Sequence, residues 1–146
     1  MDRTDYQILN LLQRDTRTTL KCIGDQVGLT APAVSERIRR MEEKGVIKRF
    51  SISIDRTLLD CNLTGFILIA LFPEKYSQFC KFCEETPAIT AHHHLVGKLN
   101  GLLRFAVKDT HELDNLLSNI KQFGDSQTSV ELDTYFEYKD APLPRV

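Results

Sequence analysis

The chain has 146 residues, of which 42% are apolar and 27% charged, and a formal net charge of −1. That apolar content suffices for one or two packed cores and excludes a disordered chain, and near-neutrality excludes an indiscriminate polycation. No apolar run approaches the ~18 residues of a membrane span and no signal-peptide pattern opens the chain, so no membrane partner is expected. The four cysteines (Cys22, Cys61, Cys80, Cys83) read as reduced thiols of a cytoplasmic protein.

Taken in chain order, Arg3 to Arg14 sets Tyr6, Ile8, Leu9, Leu11 and Leu12 at helical spacing behind Asp2, a candidate N-cap. The polar, threonine-rich stretch Asp15 to Thr19 breaks the pattern. Leu20, Ile23 and Val27 then define a short second helix, which Gly28 ends because glycine adopts the left-handed conformation freely. Leu29 reads as a buried plug, Thr30 as the cap of a third helix and Pro32 as a residue of its first turn. Val34, Ile38 and Met41 line one face of that helix up to Lys44 and Gly45. Val46 to Ile54 is partly alternating and β-branched, which predicts a strand or wing.

Asp55 to Leu63 is polar and aperiodic, a linker. Beyond it the pattern is mixed. Thr64 to Phe72 predicts a buried strand stopped by Pro73, and Tyr76, Phe79, Cys80 and Cys83 mark an amphipathic helix over Glu74 to Glu85. Ile89 to Val96 and Leu102 to Val107 predict two strands joined by Gly97-Lys98-Leu99-Asn100-Gly101. Thr110 is a candidate cap for a helix carrying Leu113, Leu116, Leu117 and Ile120 up to Gly124. A final strand is predicted over Val130 to Tyr138, where apolar residues alternate with Glu131, Asp133, Tyr135 and Glu137.

These elements predict an α+β protein. Residues 1–54 form a helix-turn-helix domain with a wing, residues 55–63 a linker, and residues 64–146 a ferredoxin-like β-α-β-β-α-β domain. Such a domain carries both helices on one face of its antiparallel sheet. The other face then needs cover, and a second copy of the chain is the usual solution, so a homodimer is expected.

Charge is unevenly placed. Residues 1–63 carry net +2 and residues 64–146 net −3, and between Glu36 and Arg49 six basic side chains stand against three acidic ones. On the third helix the apolar stripe leaves Ser35, Glu36, Arg37, Arg39 and Arg40 outward, as major-groove reading of double-stranded DNA requires. Thr30, Ala31, Pro32 and Ala33 are small enough to let the helix start approach a phosphate. Ser35 and Arg37 are the candidates for base edges, and Arg39, Arg40, Lys48 and Arg49 for phosphates. The bland alternative is an ordinary three-helix core with a solvated charged face. Glycine, cap position, proline and charge in one register favour the DNA-binding reading.

The stretch from Asp5 to Asp55 resembles the N-terminal domain of the Lrp/AsnC family of leucine-responsive, or feast/famine, regulators. The shared pieces are D-x-x-I-L, R-D-x-R, and V-G-L-T-x-x-x-V-x-x-R-I-x-x-M-E-x-x-G-V-I-K, followed by the hinge strand. The second domain resembles that family's effector domain in strand order and in H-x-x-x-V-G. The resemblance implies a homodimer built on the C-terminal sheets, often assembled into an octamer. It also implies pseudo-palindromic promoter DNA as target and a small effector, commonly an amino acid, at the interface between dimers.

One departure bears on the effector. The family's hairpin typically reads G-D-x-D, and here it is Gly97-Lys98-Leu99-Asn100, so Gly97 to Gly101 is the candidate effector hairpin in altered form. A lysine favours a carboxylate or phosphate where an acid would hold an ammonium group. Either the effector differs or there is none and the protein is an architectural binder. A third reading, a ferredoxin-like sensor whose helices bind protein, stays open beside them.

Cys80-x-x-Cys83 with His92, His93 and His94 invites a zinc reading. The cysteines fall on the apolar helix face, and a strand sends His93 opposite to His92 and His94, so core cysteines and no metal are expected. No helper residues surround a nucleophile and no glycine loop cradles phosphate, so neither an enzyme nor a cofactor is expected.

Overall fold

The computed structural model describes residues 1–136 and 139–143, the side chain of Thr57 excepted. It divides into two compact units: Met1–Ser53 joined by Phe136 and the described tail residues, and Ile54–Tyr135.

The first unit holds α1 (Arg3–Arg14), α2 (Leu20–Val27) and α3 (Ala31–Glu43). Asp2 and Asp5 form a reciprocal capping box at the start of α1, each carboxylate accepting the other's backbone N–H at 2.9 Å. Thr19 caps α2 through its hydroxyl, whereas Thr30 takes the cap position of α3 without a side-chain hydrogen bond. Ile8, Leu9, Leu12, Ile23, Val34, Ile38 and Met41 are the core where the three helices meet. The tail belongs to this unit as well. Leu143 packs against that core, and the Ala141 N–H donates to Gln13 Oε1 at 2.7 Å. Ala141 and Leu143, expected in the second domain, thus pack with the first.

No strand forms over Val46–Ile54, contrary to expectation; the segment is irregular and leaves Phe50, Ile52 and Ile54 exposed. A strand exists only through hydrogen bonds to a neighbouring strand, and among the described residues this segment pairs with none.

The second unit opens with a 3-10 turn, Arg56–Leu59, within the expected linker. It continues with β1 (Leu63–Leu71), α4 (Tyr76–Glu85), β2 (Ile89–His94), β3 (Gly101–Val107), α5 (Thr110–Ile120) and β4 (Gly124–Val130). The strands form one antiparallel sheet in the order β2-β3-β1-β4, the ferredoxin-like arrangement. Ile67, Ile69 and Leu71 of β1 and Leu103, Phe105 and Val107 of β3 bury one face against Phe79 and Cys83 of α4 and Leu116 and Ile120 of α5. The α5 cap is Asp109, whose carboxylate accepts from the His111 and Glu112 N–H groups, and not Thr110.

The final strand differs most. It runs over Gly124–Val130, starting six residues before the expected start at Val130. The alternation after Val130 is not a strand: Leu132, Tyr135 and Phe136 are exposed in an irregular segment, and Glu137 and Tyr138 lie outside the described residues. In the edge strand GDSQTSV only Gly124 is buried and the residues between it and Val130 are polar, so there is no apolar alternation to read.

Candidate functional site

The turn between α2 and α3 is tight for two local reasons. Gly28 has φ of +70°, where a side chain would be strained. Gly24 lies so close to the turn that a Cβ there would sit 2.4 Å from the Leu29 carbonyl oxygen, whose own N–H donates to the Gly24 carbonyl at 2.9 Å. Leu29 is half-buried, and Pro32 falls at the start of α3, as its missing N–H allows.

Val34, Ile38 and Met41 fix α3 to the core, which turns Pro32, Ser35, Arg39 and Arg40 to solvent, with Ala31, Ala33 and Glu36 partly exposed. Lys48 and Arg49 are exposed in the irregular segment behind the helix. The outward arginines are paired along the helix. Arg39 meets Glu36 at 2.7 Å and also Glu43, and Arg40 meets Glu36 at 2.9 Å. The hydrogen bond from Arg39, then that from Arg40, holds the Glu36 carboxyl down at about 2.

Arg37 is elsewhere. Its guanidinium lies 2.7 Å from both Asp2 Oδ2 and Asp5 Oδ1, and it is less exposed than Arg39 and Arg40. Expected at a base edge, Arg37 here pairs with Asp5 of α1 and with its cap residue Asp2, and so joins the first helix to the third. Sequence reading missed Asp2 and Asp5 as its partners, because Asp2 was legible only as a cap. The D-x-x-D spacing at the start of α1 was the available signal.

In the second unit the Leu95 N–H donates to the Asn100 carbonyl at 2.7 Å, closing the loop over Gly97, Lys98 and Leu99, with Gly97 at φ +146°. Lys98 is exposed. Asn100 Oδ1 accepts the Leu71 N–H at 2.9 Å, just past the last β1–β3 pair, Ile69 with Gly101. An aspartate would accept the same bond, so asparagine here is a conservative change in the hairpin's support. The open sheet face carries Phe66, Leu68, Ala70, Leu102 and Ala106, with the Arg104 guanidinium 6.0 Å from the Phe66 ring centre. Arg104 also approaches Glu131 at 3.4 Å, and Glu131 accepts from the Thr64 hydroxyl at 2.9 Å.

His92 stands edge-on to Phe79 and His94 edge-on to Tyr76, both against α4. Burial holds the His92 imidazole below its ordinary value, and burial pushes the Cys83 thiol up to about 12. Cys83 is a core residue, as expected, and among the described residues no group of three or more potential ligands is placed to hold a metal.

Residues 1–42 match the AsnC-type helix-turn-helix domain, and residues 64–141 match the Lrp/AsnC ligand binding domain. The chain belongs to the Lrp/AsnC family. It is 32% identical over 134 residues to YezC, an HTH-type transcriptional regulator of Bacillus subtilis, covering 92% of this chain and 95% of that one. LrpB of the same organism is 31% identical over 127 residues, 87% of this chain and 85% of its own length. Among solved structures, an AsnC family regulator of Agrobacterium tumefaciens superposes with a TM-score of 0.84 at 26% identity, with 97% of each chain covered. A Neisseria meningitidis transcriptional regulator, solved as its L-Met complex, superposes with a TM-score of 0.88 at 20% identity over 97% of this chain and 96% of that one, a likeness of fold.

This Lrp/AsnC protein is therefore an HTH-type transcriptional regulator, from a family of regulators and not of enzymes. No helix among the described residues is long and apolar enough to cross a membrane.

Proposed function

We propose that this Lrp/AsnC regulator binds pseudo-palindromic promoter DNA in the cytoplasm as a homodimer, assembled further as an octamer, with α3 in the major groove. The observation that carries this reading is α3 itself, which buries Val34, Ile38 and Met41 and turns Ser35, Arg39 and Arg40 outward. Thr30, Ala31, Pro32 and Ala33 bring backbone N–H groups to a phosphate, Ser35 meets a base edge, and Arg39, Arg40, Lys48 and Arg49 meet phosphates. Arg37 acts from behind by setting α3 against α1.

The open face with Phe66, Leu68, Leu102 and Arg104 is the dimer surface in this reading. The hairpin Gly97–Gly101 contributes to an effector site, and Lys98 directs it to the carboxylate of an amino acid. The L-Met complex of the Neisseria protein supports that class of ligand.

The test is selection of bound duplexes from a random pool, followed by titration of the selected duplex across salt concentrations. A symmetric pair of half-sites and an affinity that falls steeply with salt are expected. No complex at low salt, with Arg39→Ala and Arg40→Ala silent, would end the reading. Phe66→Glu is expected to give a monomer in sedimentation. A panel of amino acids is expected to raise the melting midpoint for at least one member, and the rise is expected to vanish in Lys98→Glu.

A further inference from the structure

Among the described residues, Glu36 is the one carboxylate that touches both outward arginines of α3. Its Oε1 lies 2.7 Å from Arg39 Nη2 and 2.9 Å from Arg40 Nε, and its Oε2 lies 2.9 Å from Arg39 Nε. The spacings i+3 and i+4 bring both guanidiniums over one carboxylate. Arg39 has a second partner in Glu43. By contrast, Lys44, Lys48 and Arg49 make no ion pair among the described residues.

All members of the cluster reach solvent, with side-chain exposures of 41% for Glu36, 57% for Arg39 and 65% for Arg40. Pairs of this kind are individually weak and exchange readily. Their importance lies in where the negative charge sits. Glu36 follows Ser35 on the outward side of the helix that enters the groove, so it approaches DNA together with the arginines it holds.

Two classes of duplex then meet α3 differently. On an arbitrary sequence, Arg39 and Arg40 reach phosphates only by leaving Glu36. The carboxylate is then left unpartnered beside a polyanion, and like charges brought together oppose binding. On a duplex that presents a cytosine N4 amino group to the carboxylate, with acceptors for the guanidiniums beside it, all three charged groups gain partners.

We infer that Glu36 is a specificity-determining residue, holding Arg39 and Arg40 along the helix in the free protein and releasing them at low cost only on DNA that satisfies its carboxylate. The inference rests on the DNA-binding reading above and adds a repulsive element to it, the kind of device by which binders reject wrong partners.

The experiment measures binding of the full chain to two duplexes, one of random sequence and one selected by the wild type from a random pool. The wild type is compared with Glu36→Gln, Glu43→Gln, Arg39→Ala/Arg40→Ala, and the triple variant that adds Glu36→Gln to the last pair. Circular dichroism confirms that each variant is folded.

Glu36→Gln is expected to bind random duplex about 3–10-fold more tightly, since two weak pairs and one repulsion are removed. It is expected to bind the selected duplex no more tightly, so the selectivity ratio drops. The salt slope on random duplex is expected to steepen by about one unit for each arginine released. The gain is expected to be clearly smaller when the triple variant is compared with the double arginine variant, because the repulsion is still removed but the two pairs are already gone, and Glu43→Gln, which removes only the second partner of Arg39, is expected to stay within about twofold.

Equal gains on both duplexes would overturn the assignment, because uniform strengthening is loss of general repulsion. A gain of undiminished size without the arginines would overturn it too, as would a Glu43→Gln gain as large as that of Glu36→Gln. Failure of the wild type to bind either duplex at low salt would reject the DNA reading itself, an outcome distinct from these three.

Discussion

Arg37 on α3 holds the carboxylate of Asp5 on α1 at 2.7 Å, with Asp2 at the same distance from the same nitrogen, Nη1. One guanidinium thus fixes the outward helix to the start of the chain, at the turn where a capping box already orders the backbone. Arg37→Ala is expected to lower the melting midpoint of the first unit by about 3–6 °C, the range for losing a partly shielded pair in a small domain. It is also expected to weaken binding to selected and random duplexes by similar factors. A selective loss of discrimination would restore Arg37 to the base-reading role.

The same clamp has a pH signature. The Asp2 carboxyl is held below its ordinary value, first by the hydrogen bond from the Asp5 N–H and then by Arg37. A carboxyl lowered in the folded state stabilises fully above its unfolded value, and that contribution is lost as pH falls through the folded value. Melting midpoints recorded down a pH series are therefore expected to fall below about pH 4. The fall is expected to be smaller in Arg37→Ala, though not absent, because the backbone hydrogen bond remains.

Asn100 gives a test of hairpin support. Asn100→Ala leaves the Leu71 N–H without its acceptor, and the expected loss is about 1–3 kcal/mol in chemical denaturation. Asn100→Asp keeps an oxygen in place and is expected to lose far less. Equal losses would show that the amide nitrogen, and not the oxygen, matters at this position.

Gly24→Ala probes the tight turn. A methyl group there would lie 2.4 Å from the Leu29 carbonyl oxygen, which is backbone and cannot swing aside. The expected outcome is destabilisation of the first unit by about 1–3 kcal/mol with loss of DNA binding, while hydrogen exchange in β1 and β3 is unchanged.

Cys83 is expected to resist alkylation at neutral pH while exposed Cys22 reacts, with mass spectrometry of digested protein as the measure. Its thiol is pushed up to about 12 by burial, so the folded state keeps a proton that the unfolded chain releases near 9. Its contribution to stability is thus present below about 9 and declines as pH rises from there towards 12.

The helices were legible because their burial is one-sided. Ile8, Ile23, Val34, Ile38 and Met41 recur at helical spacing and all lie in one core. β1 and β3 were legible for the related reason that their buried faces are continuous runs of apolar residues. β4 was not, because an exposed edge strand made of Ser, Gln and Thr leaves no hydrophobic trace, while the apolar residues beyond it drew the prediction forward. The outward face of α3 was legible as a row of charges. Which charge faces which was not, since Arg37 differs from Arg39 only in the rotation of the helix towards Asp2 and Asp5.

The Ala141 N–H reaches Gln13 across 128 residues of chain, and Leu143 closes on a core whose other members are complete by Ile47. During synthesis the three helices leave the ribosome before the sheet unit and can pack at once, but the cover that Leu143 adds is not made until the whole sheet unit has been translated. A chain stopped short of Ala141 would carry all three helices without the contacts from Ala141 and Leu143.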